Sequence, residues 1–422
     1  KIILDLVIGH TSDKHKWFLD SSEVTPGEYK DYYIWTDSAF KKYKNKTIAG
    51  LYDRDGAYYA NFFACQPALN YGFNEVEDSS WQLKYDDERL KPLRDDIVLI
   101  IDKYLEMGAD GFRVDMAHSL VKGCNPYSDN DEEIEGLIYL YNILINETRE
   151  KYPDAIFMAE WMYPKNSIGK CFFDLDVFGK NNDLYTSIFR NDFYNNKKNY
   201  FSKEGKGEII PFIDFYLNQL QGVNNKGYLM IPSGSHDESR LAYNKDQDEL
   251  TTIFAFLLTL KHVPMIYYGD EIGINHQDCK NKEGGYYRTG ARTPMQWDDS
   301  KHKGFSYSDN LYLNVNDDDI SVYSELNDSL SLLSTVRALI KVRKEHSCLN
   351  ANGGFELISN SDYPLIYRRF DENEEIIVAI NPSETEYNIP NYGKILYSNN
   401  AYSQDPYYKL GKSSFLIMIK EK

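Results

Sequence analysis

The chain has no run of 18 apolar residues, so no transmembrane helix is expected. Cysteine is scarce: five residues, at 65, 124, 171, 279 and 348, with no two near neighbours in sequence. An odd number at wide spacing suggests neither a disulfide framework nor a zinc site, and favours a reducing compartment. Positive charge is in deficit. Against 65 acidic side chains stand 47 lysines and arginines, a formal net charge of −18. Nucleic acids and anionic membranes are recognised through clustered Lys and Arg, so neither is an expected partner. The surplus carboxylate suits a neutral small molecule, and as surface charge it also serves solubility. There is no internal repeat, no low-complexity segment and no EF-hand-like spacing, and no cofactor or metal is indicated. The chain also lacks an initiator Met and a leader. It opens at Lys1 and passes straight into the apolar run Ile2–Ile8, which reads as a start inside a domain of a longer protein.

What is present is alternation. Short apolar segments end in small or polar residues and are followed by helical patterns. Ile2–Ile8 ends at Gly9-His10, Ala109–Val114 at Asp115, Ala155–Met158 at Glu160, and Cys171–Leu175 at Asp176. Tyr228–Ile231 ends at His236-Asp237, and Val263–Tyr268 at Gly269-Asp270. Between them lie amphipathic stretches such as Leu137–Arg149 and Asp248–Leu260, the latter with Leu250, Ile253, Phe254 and Leu257 at helical spacing. Strands alternating with helices imply a parallel sheet with covered faces. Such folds keep their chemistry at the carboxyl ends of the strands. Residues 11–88 break the alternation and read as an excursion of their own. A helix over Leu330–Val342, with Asn327-Asp328 as caps, closes the repeating part. After Asn350 the period changes to two, with strands at Leu365–Phe370, Ile376–Ile380 and Phe415–Ile419. The abundance of Tyr, 36 residues, is explained by packing before it is explained by a binding cleft.

Four strand ends carry candidate chemistry. In Gly111-Phe112-Arg113-Val114-Asp115, alternate strand residues share a face, so Arg113 and Asp115 point the same way. A guanidinium beside a carboxylate favours the charged form that a nucleophile needs. In isolation, a structural Arg–Asp pair explains the motif better. In Phe157-Met158-Ala159-Glu160-Trp161, apolar surroundings suit a general acid by raising its pKa, whereas the plain alternative is a solvated strand-end Glu. In Ser235-His236-Asp237, a His and an Asp can hold sugar hydroxyls and favour a cationic transition state; a helix N-cap at Asp237 is the structural alternative. Asp5 and His10 on the first strand are weak signals, Asp5 the more structural of the two. Taken in order, the set supplies the two carboxylates of a retaining glycosidase, about 5–5.5 Å apart, with a third carboxylate, an Arg and two His left to bind a sugar.

Asp5-Leu-Val-Ile-Gly-His10, Gly111-Phe-Arg-Val-Asp115, Ala159-Glu160-Trp161 and Ser235-His236-Asp237 resemble the four conserved regions of glycoside hydrolase family 13, the α-amylase family. Gln66-Pro-Ala-Leu-Asn70 resembles the fifth region in its oligo-1,6-glucosidase form. Arg292-Thr-Pro-Met-Gln-Trp297-Asp298 is similar to a segment of the branch holding α-glucosidases and trehalose synthases. The resemblance implies an α/β fold, a (β/α)8 TIM barrel with an inserted B domain and a C-terminal antiparallel β-sandwich. Residues 1–10 are then the third barrel strand, 11–88 the B domain, 89–350 the remaining barrel and 351–422 the C-terminal domain, with the first two barrel strands missing. It further implies that Asp115 attacks the anomeric carbon, Glu160 is acid and then base, and Asp237 stabilises the transition state. Arg113 holds Asp115, and His10 and His236 contact the sugar. The implied activity is hydrolysis of α-glucosidic bonds in short oligosaccharides. A transglycosidase or isomerase of the same family is the main rival, and a non-catalytic sugar-binding relative the lesser one. A bacterial cytoplasm is the expected location. The chain departs from the family at Gly9 and Ser235, where Asn is usual, and at Ala68, where Asp is usual. Met116 matches neither residue associated with linkage preference, so the linkage stays open.

Overall fold

The computed structural model describes residues 1–179, 183–279, 288–359 and 361–420. Two compact units can be distinguished, Lys1–Val177 with Gln219–Tyr228, and Phe178–Asn218 with Leu229–Lys422.

In the first unit, β1 (Ile3–Leu6), β4 (Gly111–Val114), β5 (Ile156–Ala159) and β6 (Leu175–Val177) lie side by side in that order, all parallel. Their register aligns Leu6 with Val114, Val114 with Ala159, and Ala159 with Asp176. Helix α1 (Lys91–Glu106) connects to β4. It buries Leu93, Ile97, Val98, Ile101 and Leu105, a stripe at three- and four-residue spacing, with Pro92 in the first turn where its missing N–H costs nothing. Helix α2 (Glu135–Lys151) buries Leu137, Leu140, Tyr141, Leu144 and Ile145 in the same way. Residues 11–88 are mostly irregular. They contain one antiparallel pair, β2 (Thr47–Ala49) and β3 (Ala57–Tyr59), and a core of Ile34, Tyr59, Ala68 and Phe73. Phe18 packs edge-on against Tyr33, Tyr52 and Tyr58, so much of the tyrosine serves packing.

In the second unit, β7 (Tyr228–Pro232) and β8 (Val263–Met265) pair in parallel. Helix α3 (Gln247–Thr259) joins them and opens on a capping box between Asp246 and Glu249. The sequence predicts an amphipathic helix here. Every residue from Glu249 to Thr259 is buried, because the helix also packs against α4 (Leu332–Glu345) and the C-terminal strands. The cap of α4 is Ser331 rather than Asn327-Asp328, its hydroxyl accepting the Ser334 N–H.

The C-terminal strands are β9 (Gly354–Leu357), β10 (Leu365–Phe370), β11 (Glu375–Asn381), β12 (Tyr387–Pro390), β13 (Lys394–Gln404) and β14 (Tyr407–Ile419). They form one antiparallel sheet in which β14 pairs with β11 along its second half, β12 along its first half and β13 along both. The C-terminal domain is thus one antiparallel sheet, with a core of Ile366, Ile377, Ile389, Leu410, Leu416 and Met418. No described helix is long and apolar enough to cross a membrane.

Candidate active site

The register of β1, β4 and β5 determines which groups meet. Asp115 and Glu160 each lie one residue past the aligned row of Leu6, Val114 and Ala159, and their N–H groups continue the ladder, to Leu6 O at 3.1 Å and to Val114 O at 3.1 Å. Neighbouring strands run about 4.8 Å apart, so the two acidic residues stand side by side on adjacent strands. Arg113, one pleat back on the same face, joins them. Its Nη1 lies 3.2 Å from Asp115 Oδ1 and 2.6 Å from Asp5 Oδ1, and its Nη2 lies 2.7 Å from Glu160 Oε1. Burial works against the Arg113 charge, yet Glu160, Asp5 and Asp115 outweigh it and raise its pKa above the ordinary arginine value.

The expected apolar setting of Glu160 is not what surrounds its carboxylate. One oxygen is paired with Arg113, and Oε2 accepts the Met116 N–H at 2.9 Å. That N–H is aimed by a left-handed backbone at Met116, φ 44° and ψ 41°, a conformation costly for a non-glycine residue and typical of functional sites. Asp5, read as structural, is the third carboxylate on the same guanidinium.

His10 is half-buried, and burial lowers its pKa against the pull of Asp115. Its Nδ1 lies 3.1 Å from Nδ2 of Asn61. Asn61 carries no local signal that singles it out, and it occupies the space beside Gly9. A Cβ at Gly9 would lie 3.1 Å from the same Nδ2. An amide therefore reaches His10 from residue 61, although position 9 has none. Behind this group lies Lys122, whose Nζ donates to Ser119 O at 2.6 Å and stands 5.4 Å from the centre of the Tyr59 ring. Burial pushes its amine down to about 7.

In the second unit, Asp237 is held by two arginines. Arg288 Nη1 lies 2.6 Å and Arg292 Nη2 3.0 Å from Oδ1, with His236 Nε2 3.4 Å from Oδ2. Burial alone raises the Asp237 pKa; His236, Arg288 and Arg292 outweigh it and leave it lowered. Residues 236–238 form a turn with no helix behind it, so the N-cap explanation of Asp237 does not apply. Ser235 Oγ accepts the Asp237 N–H at 3.2 Å, so the hydroxyl supports this turn where the family usually has an amide.

Sequence reasoning missed three supporting residues besides Asn61. Arg288 and Arg292 lie 51 and 55 residues from Asp237, and nothing local marks them as its partners. Asp176 was visible only as a polar strand end. It is fully buried and accepts the N–H groups of Trp161, Met162 and Tyr163 at 3.0–3.1 Å and the Ser167 hydroxyl at 2.6 Å. Burial pushes its carboxyl up to about 6 despite these four donors. It anchors the loop that follows Glu160.

Residues 1–352 match the family described as alpha amylase, catalytic domain. Among curated relatives, alpha-amylase 3 of Dictyoglomus thermophilum is 28% identical over 99% of this chain and 76% of its own length. The oligo-1,6-glucosidase of Parageobacillus thermoglucosidasius is 27% identical over 91% of this chain and 75% of its own. The solved isomaltulose synthase of Erwinia rhapontici NX5 shares the fold, with a TM-score of 0.79 at 20% identity over 100% of this chain and 83% of that one. The parallel strands with their connecting helices are those of a TIM-barrel catalytic domain, and an antiparallel β domain follows it. With the family match extending over 352 of 422 residues, the chain belongs to the α-amylase family and is an enzyme acting on glycosidic bonds.

Proposed function

We propose that the protein is a retaining α-glucosidase of short oligosaccharides, working by double displacement. Asp115 attacks the anomeric carbon and forms the glycosyl-enzyme. Glu160 gives its proton to the departing oxygen, then takes one from the attacking water. Asp237 stabilises the oxocarbenium-like transition state through sugar hydroxyls, and His10 and His236 bind the same sugar. The reading includes residues 11–88 as the inserted domain and 351–422 as the C-terminal domain. One observation carries most of it: a single guanidinium, Arg113, touches both Asp115 and Glu160, which keeps two acidic groups on adjacent strands in one small site. In this arrangement Glu160 is paired as an anion. To act as an acid it must take up a proton from solvent and exchange Arg113 for the glycosidic oxygen, leaving Arg113 to Asp115 and Asp5.

Incubation with maltose, isomaltose and an aryl α-glucoside tests the proposal, with products followed by chromatography and anomeric NMR. The expected result is release of α-glucose that disappears in Asp115→Asn. A rearranged disaccharide in place of glucose assigns the protein to transglycosylation instead. Sugar binding without turnover assigns it to the non-catalytic relatives.

A further inference from the structure

The loop after β7 carries Asp237 on backbone that is neither helix nor strand. Residues 233–240 form only turns and bends. Ser233, Ser239 and Arg240 are nonetheless buried, so their main-chain groups need partners inside the protein. Arg190, itself 1% exposed, supplies them at both ends of the loop. Its Nη2 donates to the carbonyl of Ser233, and its Nε donates to the carbonyl of Ser239 at 3.0 Å. Its Nη1 donates to the Tyr185 hydroxyl at 3.0 Å, which in turn donates to the carbonyl of Pro232 at 2.8 Å. One planar group therefore fixes the distance between the two ends of a seven-residue segment (233–239) that has Asp237 inside it.

The opposite side is held as well. Ser233 Oγ donates to Asp270 Oδ2 at 2.8 Å and accepts the Tyr267 N–H at 2.9 Å. Gly234 lies between the two clamps. A Cβ there would stand 2.6 Å from Asp270 Oδ2 and 3.1 Å from Arg190 Nη2. Taking a guanidinium out of water has a cost, which the nearby carboxylates of Glu238 and Asp270 offset. Carbonyls at a loop end can be satisfied by water, which a wetter and looser loop would use. What a guanidinium adds is a rigid fork that holds several acceptors at fixed spacing.

We propose that Arg190 is a positioning residue for Asp237: it grips both ends of the 233–239 loop and so sets where the Asp237 carboxylate stands in the transition state. This rests on the reading of Asp237 as transition-state stabiliser. Arg190 acts through the backbone, and the chemistry remains that of Asp237.

The test is steady-state kinetics on α-glucosyl fluoride, whose good leaving group keeps crippled variants measurable. The variants are Arg190→Lys, Asp237→Asn and the pair combined. Lysine keeps the charge and the stem but has a single ammonium that cannot grip both carbonyls. Arg190→Lys should lower kcat about ten- to a hundredfold and change KM by less than about threefold. In the Asp237→Asn background it should add almost nothing, because the group it positions is already gone. A kcat within about twofold of wild type in folded Arg190→Lys, or the same loss in both backgrounds, overturns the proposal and leaves Arg190 a structural residue. Wild-type turnover by Asp237→Asn alone refutes the reading underneath, and that outcome is seen in the single variant. Should Arg190→Lys fail to fold, Gly234→Ala takes its place, since its methyl presses on Nη2 and Asp270. The same kcat loss and the same non-additivity are expected, and unchanged kcat in folded Gly234→Ala overturns the assignment.

Discussion

At the scale of single residues, two departures from the family pattern are compensated locally. Gly9 leaves room for Asn61, and Ser235 supports the Asp237 turn through its hydroxyl. Restoring the family residue at position 9 should therefore do harm. Gly9→Asn drives a Cβ towards Asn61 Nδ2 and displaces that amide from His10. The loss of one hydrogen bond is about 1 kcal/mol, so kcat/KM should fall roughly fivefold, and Asn61→Ala should fall by a similar factor. A rise in kcat/KM for Gly9→Asn contradicts this account of Asn61. Lys122 offers a second residue-scale prediction. Its amine titrates at about 7 in the fold, against 10.5 ordinarily. Between those values the unfolded chain binds the proton and the folded one does not, so this group's contribution to stability rises with pH. Lys122→Met lacks it. The melting temperature of wild type relative to Lys122→Met should therefore increase from about pH 6.5 to about pH 9.5. A difference that does not change with pH shows that the amine stays charged where it is buried.

At the scale of elements, the parallel strands were legible because each is an apolar run ending in a polar or small residue. The two carboxylates were legible because β4 and β5 both end on them. Helix α3 was located correctly, but its exposure was not. A four-residue apolar stripe cannot show that Thr251, Thr252 and Thr259 on its other faces are covered too. Strands β9, β12 and β13 escaped notice. Strands β9 and β12 have only four residues each, too few to show a period, and the polar run Ser398-Asn399-Asn400 interrupts the alternation in β13. The partners of the candidate groups were the least legible, because Arg288, Arg292 and Asn61 reach them from distant loops. Asp176 shows what such support does. It ties three consecutive N–H groups after Glu160 to one buried carboxylate. Asp176→Ala should cost on the order of 3 kcal/mol and lower kcat by loosening the loop behind Glu160, the proposed acid/base. Asp176→Asn, which keeps an acceptor, should cost less. Equal melting temperatures for wild type and Asp176→Ala contradict the anchoring role.

At the scale of the whole molecule, the family is carried by the match over residues 1–352, and the β domain after it is an independent feature of the fold. The net charge of −18 bears on what the protein meets in solution. A neutral disaccharide feels little of that field, so kcat/KM for maltose should change less than about twofold from low to physiological salt. A steep salt dependence points to a charged substrate. The order of acidic groups along the chain, Asp115, Glu160 and Asp237, gives the molecule its chemical reading, and in the proposed mechanism the first of them bears the covalent step. The most direct measurement is therefore to trap that step with a slow fluorinated α-glucosyl substrate and map the modified peptide by mass spectrometry. The account predicts a glycosyl group on Asp115, absent in Asp115→Asn, with α-glucose as the first product of normal turnover. An adduct on another residue, or β-glucose released with no adduct, would contradict it.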